Sequence, residues 1–193
     1  PQIADERGIV FVCPDGENSW YWDSPRNPSY RYETFVSSEL VAYVDSHYKT
    51  QATSKQRAIA GLSMGGHGAL WNALRHPDVF GAAGATSGGV DIRPFPMNWE
   101  MKKQLGEMAA NKKVWDNHTV INQLDKIKNG DVALIIDCGE DDFFLNVNKE
   151  LHQRLLALKI DHDFITRPGG HTLAYWRNSI DYQILFFDKF FKR

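Results

Sequence analysis

The chain has 193 residues, of which 42% are hydrophobic and 24% charged, and its formal net charge is -2. That is enough chain for a single domain with a real core. The near-neutral balance gives no reason to expect nucleic acid or an anionic membrane as partner, and no apolar run reaches the ~18 residues needed to span a bilayer.

The residue pattern predicts short β-rich runs alternating with helices, which argues for an α/β fold with a mostly parallel sheet flanked by helices. A first strand is expected over Gly8–Cys13, stopped by Pro14-Asp15-Gly16. An aromatic-rich loop follows, and then a helix over about Glu33–Tyr48 with Val36, Leu40, Tyr43, Val44 and His47 on one stripe. Arg57–Leu62 reads as the second strand and runs into Ser63, after which Gly65–Arg75 reads as a helix closed by His76-Pro77. Phe80–Ser87 is small and apolar, a third strand ending in Gly88-Gly89. Residues 90–128 are the least regular stretch, and a connection of that length suits a lid or a substrate-pocket insertion. Asp131–Cys138 is apolar on consecutive positions, as a strand covered on both faces requires. A helix over about Asn146–Leu158 and a fifth strand over Asp163–Arg167 lead to Pro168-Gly169-Gly170-His171. The last helix, about Leu173–Phe190, would turn Trp176, Ile180, Ile184 and Phe187 inward. There is no internal repeat and no linker, so residues 1–193 form one domain.

The two cysteines, Cys13 and Cys138, are too few for a disulfide framework, and each reads as a small buried side chain at the end of an apolar run. The chain begins Pro1-Gln2-Ile3 with nothing resembling a signal peptide, which leaves cytoplasmic and secreted settings both open.

Gly61-Leu62-Ser63-Met64-Gly65 is a G-x-S-x-G pattern. In a nucleophile elbow this pattern makes a sharp strand-to-helix turn, holding the serine in strained geometry with Oγ above the sheet. The glycines are needed where a Cβ would strike the neighbouring strand or helix. Composition alone would put such a pattern in roughly one chain of this length in ten to twenty, so the weight lies in its context, an apolar strand before and a small-residue helix after. Of the seven histidines, His171 follows the last strand in a Pro-Gly-Gly turn, where an α/β-hydrolase places its imidazole. His67 lies one turn into the helix, where its side chain diverges from that of Ser63. A carboxylate after the fourth strand completes the chain order of such a triad; Asp141 and Asp142 both qualify by spacing, and at least one of them caps the helix that follows. Trp20, Tyr21 and Trp22 follow the C-terminal end of the first strand, the side on which α/β sheets bind ligands, and they serve either to stack on a substrate ring or to pack the loop. Trp99 and Trp115 are weaker candidates for the same role.

At these residues the chain resembles the esterase D family of α/β-hydrolases, which includes S-formylglutathione hydrolases, tributyrin esterases and feruloyl esterases. The resemblance runs through Gly61–Leu70, Gly139–Leu145, Pro168–His171 with Trp176, and Pro14–Gly16 with Asn18–Tyr21, and it covers essentially the whole chain. It implies that Asp142, three residues after Gly139, is the triad carboxylate, and that the Met64 backbone N–H is one oxyanion donor. It further implies a region before residue 1 with additional strands, one of them between Gly8–Cys13 and Arg57–Leu62, and a loop supplying the second oxyanion donor. On that expectation the chain is N-terminally incomplete, and Cys13 and Cys138 stand roughly 20 Å apart, too far for a disulfide.

The implied function is hydrolysis of short-chain acyl, acetylated-sugar or feruloyl esters through an acyl-enzyme, a mechanism needing no metal or organic cofactor. The alternatives are an acyltransferase of the mycolyl-transferase type and a catalytically degenerate carbohydrate-binding module. The expected partner is a small-molecule or carbohydrate ester; homo-oligomerisation stays open.

Overall fold

The computed structural model describes residues 2–193. In chain order its elements are α1 (Gln2–Arg7), α2 (Tyr32–Thr34), a π-helical turn (Phe35–Glu39) running into α3 (Leu40–His47), β1 (Ala58–Leu62), α4 (Met64–Arg75) and β2 (Ala82–Thr86). There follow α5 (Met101–Leu105), α6 (Lys112–Asn117), β3 (Ala133–Gly139), α7 (Leu145–Ala157), β4 (His162–Arg167) and α8 (Leu173–Phe191). The four strands form one parallel sheet in the order β1-β2-β3-β4.

Strand periodicity divides the core into two layers. Ala83 and Ala85 of β2 and Leu134 and Ile136 of β3 face a large cluster that takes in Leu70 and Leu74 of α4 and Leu151 and Leu155 of α7. Ala82 and Ile135 face the opposite way, against Phe187 of α8. Covered on both faces, β2 and β3 can be apolar on consecutive positions, as Ala82–Ala85 and Ala133–Ile136 are.

Two expectations fail here. Gly8–Cys13 is not a strand: no ladder partner lies beside it among the described residues, and Val10, Phe11 and Val12 are 54%, 52% and 44% exposed. A β-rich run without a neighbouring strand has nowhere to place its backbone hydrogen bonds except water. Cys13, in the same segment, is exposed rather than buried, whereas Cys138 is buried; both are free thiols.

The second failure concerns the inner face of α8. It carries Tyr175, Ser179, Gln183 and Phe187, while Ile180 is exposed. The helix is rotated from the apolar stripe because buried polar groups hold it. Tyr175 donates its hydroxyl proton to Asp137, and Arg167 donates to both Asp137 and the Ser179 hydroxyl. Residues 90–128 are tied down by Ile92, Met101, Leu105, Trp115 and Ile121, all fully buried in the larger core layer.

Candidate active site

The site stands at the C-terminal ends of the parallel strands, where β1 turns into α4. Ser63 occupies that turn with φ 53° and ψ -119°, a conformation that costs an L-residue roughly 1–3 kcal/mol. The surroundings over-determine it: the Ser63 N–H donates to Thr86 O at 2.9 Å, and Gly89 N–H donates to Ser63 O at 3.3 Å. A Cβ on Gly61 would lie 2.2 Å from the Gly65 carbonyl oxygen, and one on Gly66 would lie 2.9 Å from Gly88 Cα. Gly65 itself has open space around it, so the steric demand falls on Gly61 and Gly66 rather than on both flanking glycines of the motif.

His171 comes from the β4–α8 loop and Asp142 from the β3–α7 loop. Ser63 Oγ and His171 Nε2 are 2.9 Å apart, and His171 Nδ1 stands 2.9 Å from Asp142 Oδ2 and 3.1 Å from Oδ1. The three residues singled out in the sequence therefore form one continuous hydrogen-bonded relay. Asp142 is buried while Asp141 is exposed, and Asp142 Oδ1 also accepts the Phe144 N–H at 2.8 Å. The helix cap expected from these acids is not formed, since the N-cap of α7 is Phe144 and no side-chain cap hydrogen bond is made there. Burial alone would raise the Asp142 carboxyl, but hydrogen bonds from His171, the Phe144 N–H and the Ser87 hydroxyl together hold it below the usual range. A carboxylate kept ionised against Nδ1 fixes the tautomer that leaves Nε2 free to take a proton from Ser63. The Met64 N–H opens α4, where no intrahelical carbonyl exists to accept it, and the dipole of this 12-residue helix favours negative charge at that point.

His67 is fully buried, its Nδ1 3.0 Å from Gly89 O and its ring stacked on Trp71. Burial pushes it down to about 3, so it is neutral and locked away from the relay.

Trp20 and Trp22 are 2% and 0% exposed, each 5.2 Å from the His67 ring, and neither offers a face to a substrate. The substrate-binding role expected for them is corrected to core packing, and the indole area that made them attractive as ligand platforms is spent on burial. Tyr21 is half-buried and lies against the helix, its ring 2.2 Å from where a Gly68 Cβ would stand.

Three contributors were given no role in the site by the sequence, although Phe143 and Trp176 lie in its resemblance motifs. Ser87, fully buried just past the end of β2 with φ 50°, accepts from Trp176 Nε1 at 3.1 Å and helps to lower the Asp142 carboxyl. Trp176, expected to be an inner-stripe residue, also packs edge-on to His171 at 4.8 Å between centroids. Phe143 lies 4.4 Å from the His171 ring. A polar side chain closing an otherwise buried strand, as in Thr86-Ser87-Gly88, is the one signal that points to the first. Among the described residues no group of three or more His, Cys, Asp or Glu side chains is placed to hold a metal ion, and no helix is long and apolar enough to cross a membrane.

A family model described as "Putative esterase" matches residues 2–187. The acetyl esterase of Caldicellulosiruptor saccharolyticus is 27% identical, over 93% of this chain and 71% of its own length. The diacylglycerol acyltransferase/mycolyltransferase Ag85B of Mycobacterium leprae is 32% identical, over 69% of this chain and 46% of its own length. Among solved structures, a ferulic acid esterase is 30% identical with a TM-score of 0.74, covering 89% of this chain and 64% of that one. The chain thus spans less than two thirds of several relatives, down to 41% of two esterases from Mycobacterium tuberculosis.

Proposed function

The chain belongs to the Esterase family of α/β-hydrolases, and on that premise we propose that it cleaves carboxylic esters through an acyl-enzyme on Ser63. The observation that carries this reading is the unbroken relay from Ser63 Oγ through His171 to Asp142. His171 Nε2 takes the hydroxyl proton as Ser63 Oγ attacks the ester carbonyl, and the Asp142 carboxylate stabilises the imidazolium. The developing oxyanion turns toward the Met64 N–H at the head of α4. His171 then gives its proton to the leaving alcohol, and a water molecule, deprotonated by the same imidazole, releases the acid and restores the serine.

For substrate class we favour short-chain acyl, acetylated-sugar or feruloyl esters, in line with the names of the acetyl esterase and ferulic acid esterase relatives. Residues 90–128 serve as the pocket insertion, their 95–99 stretch bringing Phe95 and Trp99 to the aromatic cluster beside His171. The mycolyltransferase relative favours a second reading, in which an alcohol replaces water in the second half-reaction. Product analysis with and without a sugar acceptor separates the two.

Replacing the nucleophile tests the core of the proposal. Ser63→Ala is expected to lower kcat on p-nitrophenyl acetate by about 10⁵-fold or more and to abolish labelling by a fluorophosphonate probe. Turnover surviving at a tenth of the wild-type rate would refute the assignment.

A further inference from the structure

Beside the relay lies an apolar surface that the chemistry above leaves unused. Phe143 is 50% exposed and Trp99 37% exposed, and their rings stack at 6.0 Å with an interplanar angle of 24°. The undersides are fixed. Phe144, fully buried, packs against Phe143 at 4.6 Å and Trp99 at 5.4 Å, and Phe95 touches both. Asn18 Nδ2 donates to Trp99 O at 3.1 Å, tethering the loop that carries the indole. The result is two preorganised aromatic rings, supported from below and open above, where a ligand need not order them on binding.

Position decides which half of an ester this surface meets. The leaving oxygen must come within reach of His171 Nε2, because that atom delivers its proton. The carbonyl oxygen must point the other way, to the Met64 N–H. Phe143 lies against the His171 ring at 4.4 Å and Trp99 extends the surface beyond it, so the pair flanks the path of the alcohol rather than that of the acyl chain. We propose that Phe143 and Trp99 form the subsite for the alcohol half of the ester, and that this half presents a flat apolar face. The C–H face of a sugar ring and an aryl ring share that chemistry. The inference rests on the hydrolytic reading and deepens it by locating selectivity on the leaving-group side.

A kinetic signature follows from the order of events. The alcohol departs with acylation, so the subsite acts on the first half-reaction and has nothing to touch in the second. Acetates of one acyl group and different alcohols provide the test: ethyl acetate, phenyl acetate and a monoacetylated xyloside. Trp99→Ala and Phe143→Ala are expected to lower the ratio of kcat/KM for a flat-faced ester to that for ethyl acetate by about tenfold. Trp99→Phe should restore most of that ratio. A fall confined to the xyloside identifies a sugar as the occupant, and a fall confined to phenyl acetate identifies an aryl alcohol. The loss should appear in the burst phase with p-nitrophenyl acetate, in acylation rather than deacylation. Equal losses on all three acetates, a shift in acyl-chain preference, or a slowed deacylation step would overturn the proposal. Fluorophosphonate labelling of each variant keeps the failures distinct. A wild-type protein that neither labels nor shows a burst defeats the hydrolytic reading and the subsite with it, whereas a labelled wild type with no alcohol-dependent change defeats the subsite alone.

Discussion

The Ser87 hydroxyl accepts from Trp176 Nε1 at 3.1 Å and is one of the groups that hold the Asp142 carboxyl below its usual range. Trp176 thereby fixes the Ser87 hydroxyl in place, and Asp142 stays ionised despite its burial. Because Ser87 sits at φ 50°, glycine removes the hydroxyl there without adding backbone strain, while alanine keeps the strain and loses the bond. Ser87→Gly should lower kcat/KM by about fivefold, for the loss of roughly 1 kcal/mol of polar support to the Asp142 carboxylate, yet melt no lower than Ser87→Ala. With one donor gone, the Asp142 carboxyl titrates at higher pH. Its stabilisation is present above the ordinary carboxyl range and lost as pH falls through the depressed folded value, so the variant should acid-unfold earlier. An unchanged rate would remove Ser87 from the positioning of the relay. The serine, histidine and aspartate were legible because each terminates a strand in a motif with a mechanism. Asp142 was separated from Asp141 only by resemblance, and Ser87 and Phe143 announce themselves by no spacing rule.

Among the elements, the clearest long-range link runs from α2 to α4. Glu33 is buried and accepts from Trp71 Nε1 at 2.8 Å and Arg75 Nε at 2.7 Å, with His76 Nε2 at 2.8 Å. Burial would raise its carboxyl, but the bonds from His76, Arg75 and Trp71 outweigh that and bring it down to about 2 from 4.5. The folded value lies below the unfolded one, so this stabilisation is complete above about pH 4.5 and is lost as pH falls toward 2. Glu33→Gln should therefore be less stable than wild type by about 3 kcal/mol at neutral pH, with the difference vanishing near pH 2 in denaturant titrations. A gap independent of pH would point to packing rather than charge. Periodicity located this helical stretch and the four true strands, but it misjudged faces wherever polar side chains turn inward. Glu33 has no apolar signature, and neither have Ser179 and Gln183, which set the rotation of α8. The opposite error occurred at Gly8–Cys13, where strand-like composition met no neighbour to pair with.

At the scale of the whole molecule, a parallel sheet whose two central strands are buried on both faces brings three loops to one end, and parallel topology alone ensures that all three lie at the C-terminal strand ends. That architecture was readable because short apolar runs bounded by turn residues, such as Val132–Ile136, suit a strand covered on both sides, and their shortness and β-branched content argue against a buried helix. The packing of residues 90–128 was not, since its short helices and turns carry no sustained period and are fixed by scattered large side chains such as Trp115. The strained turn at Ser63, φ 53°, has a consequence for the entire fold. Glycine adopts that conformation freely, so Ser63→Gly should raise the melting temperature above both wild type and Ser63→Ala, by a few degrees for a relief of roughly 1–3 kcal/mol. Calorimetry of the three proteins would measure it, and a glycine variant melting below the alanine one would contradict it. Selection for durability alone would discard this serine; its retention is a trade of robustness against reactivity, made at a single residue.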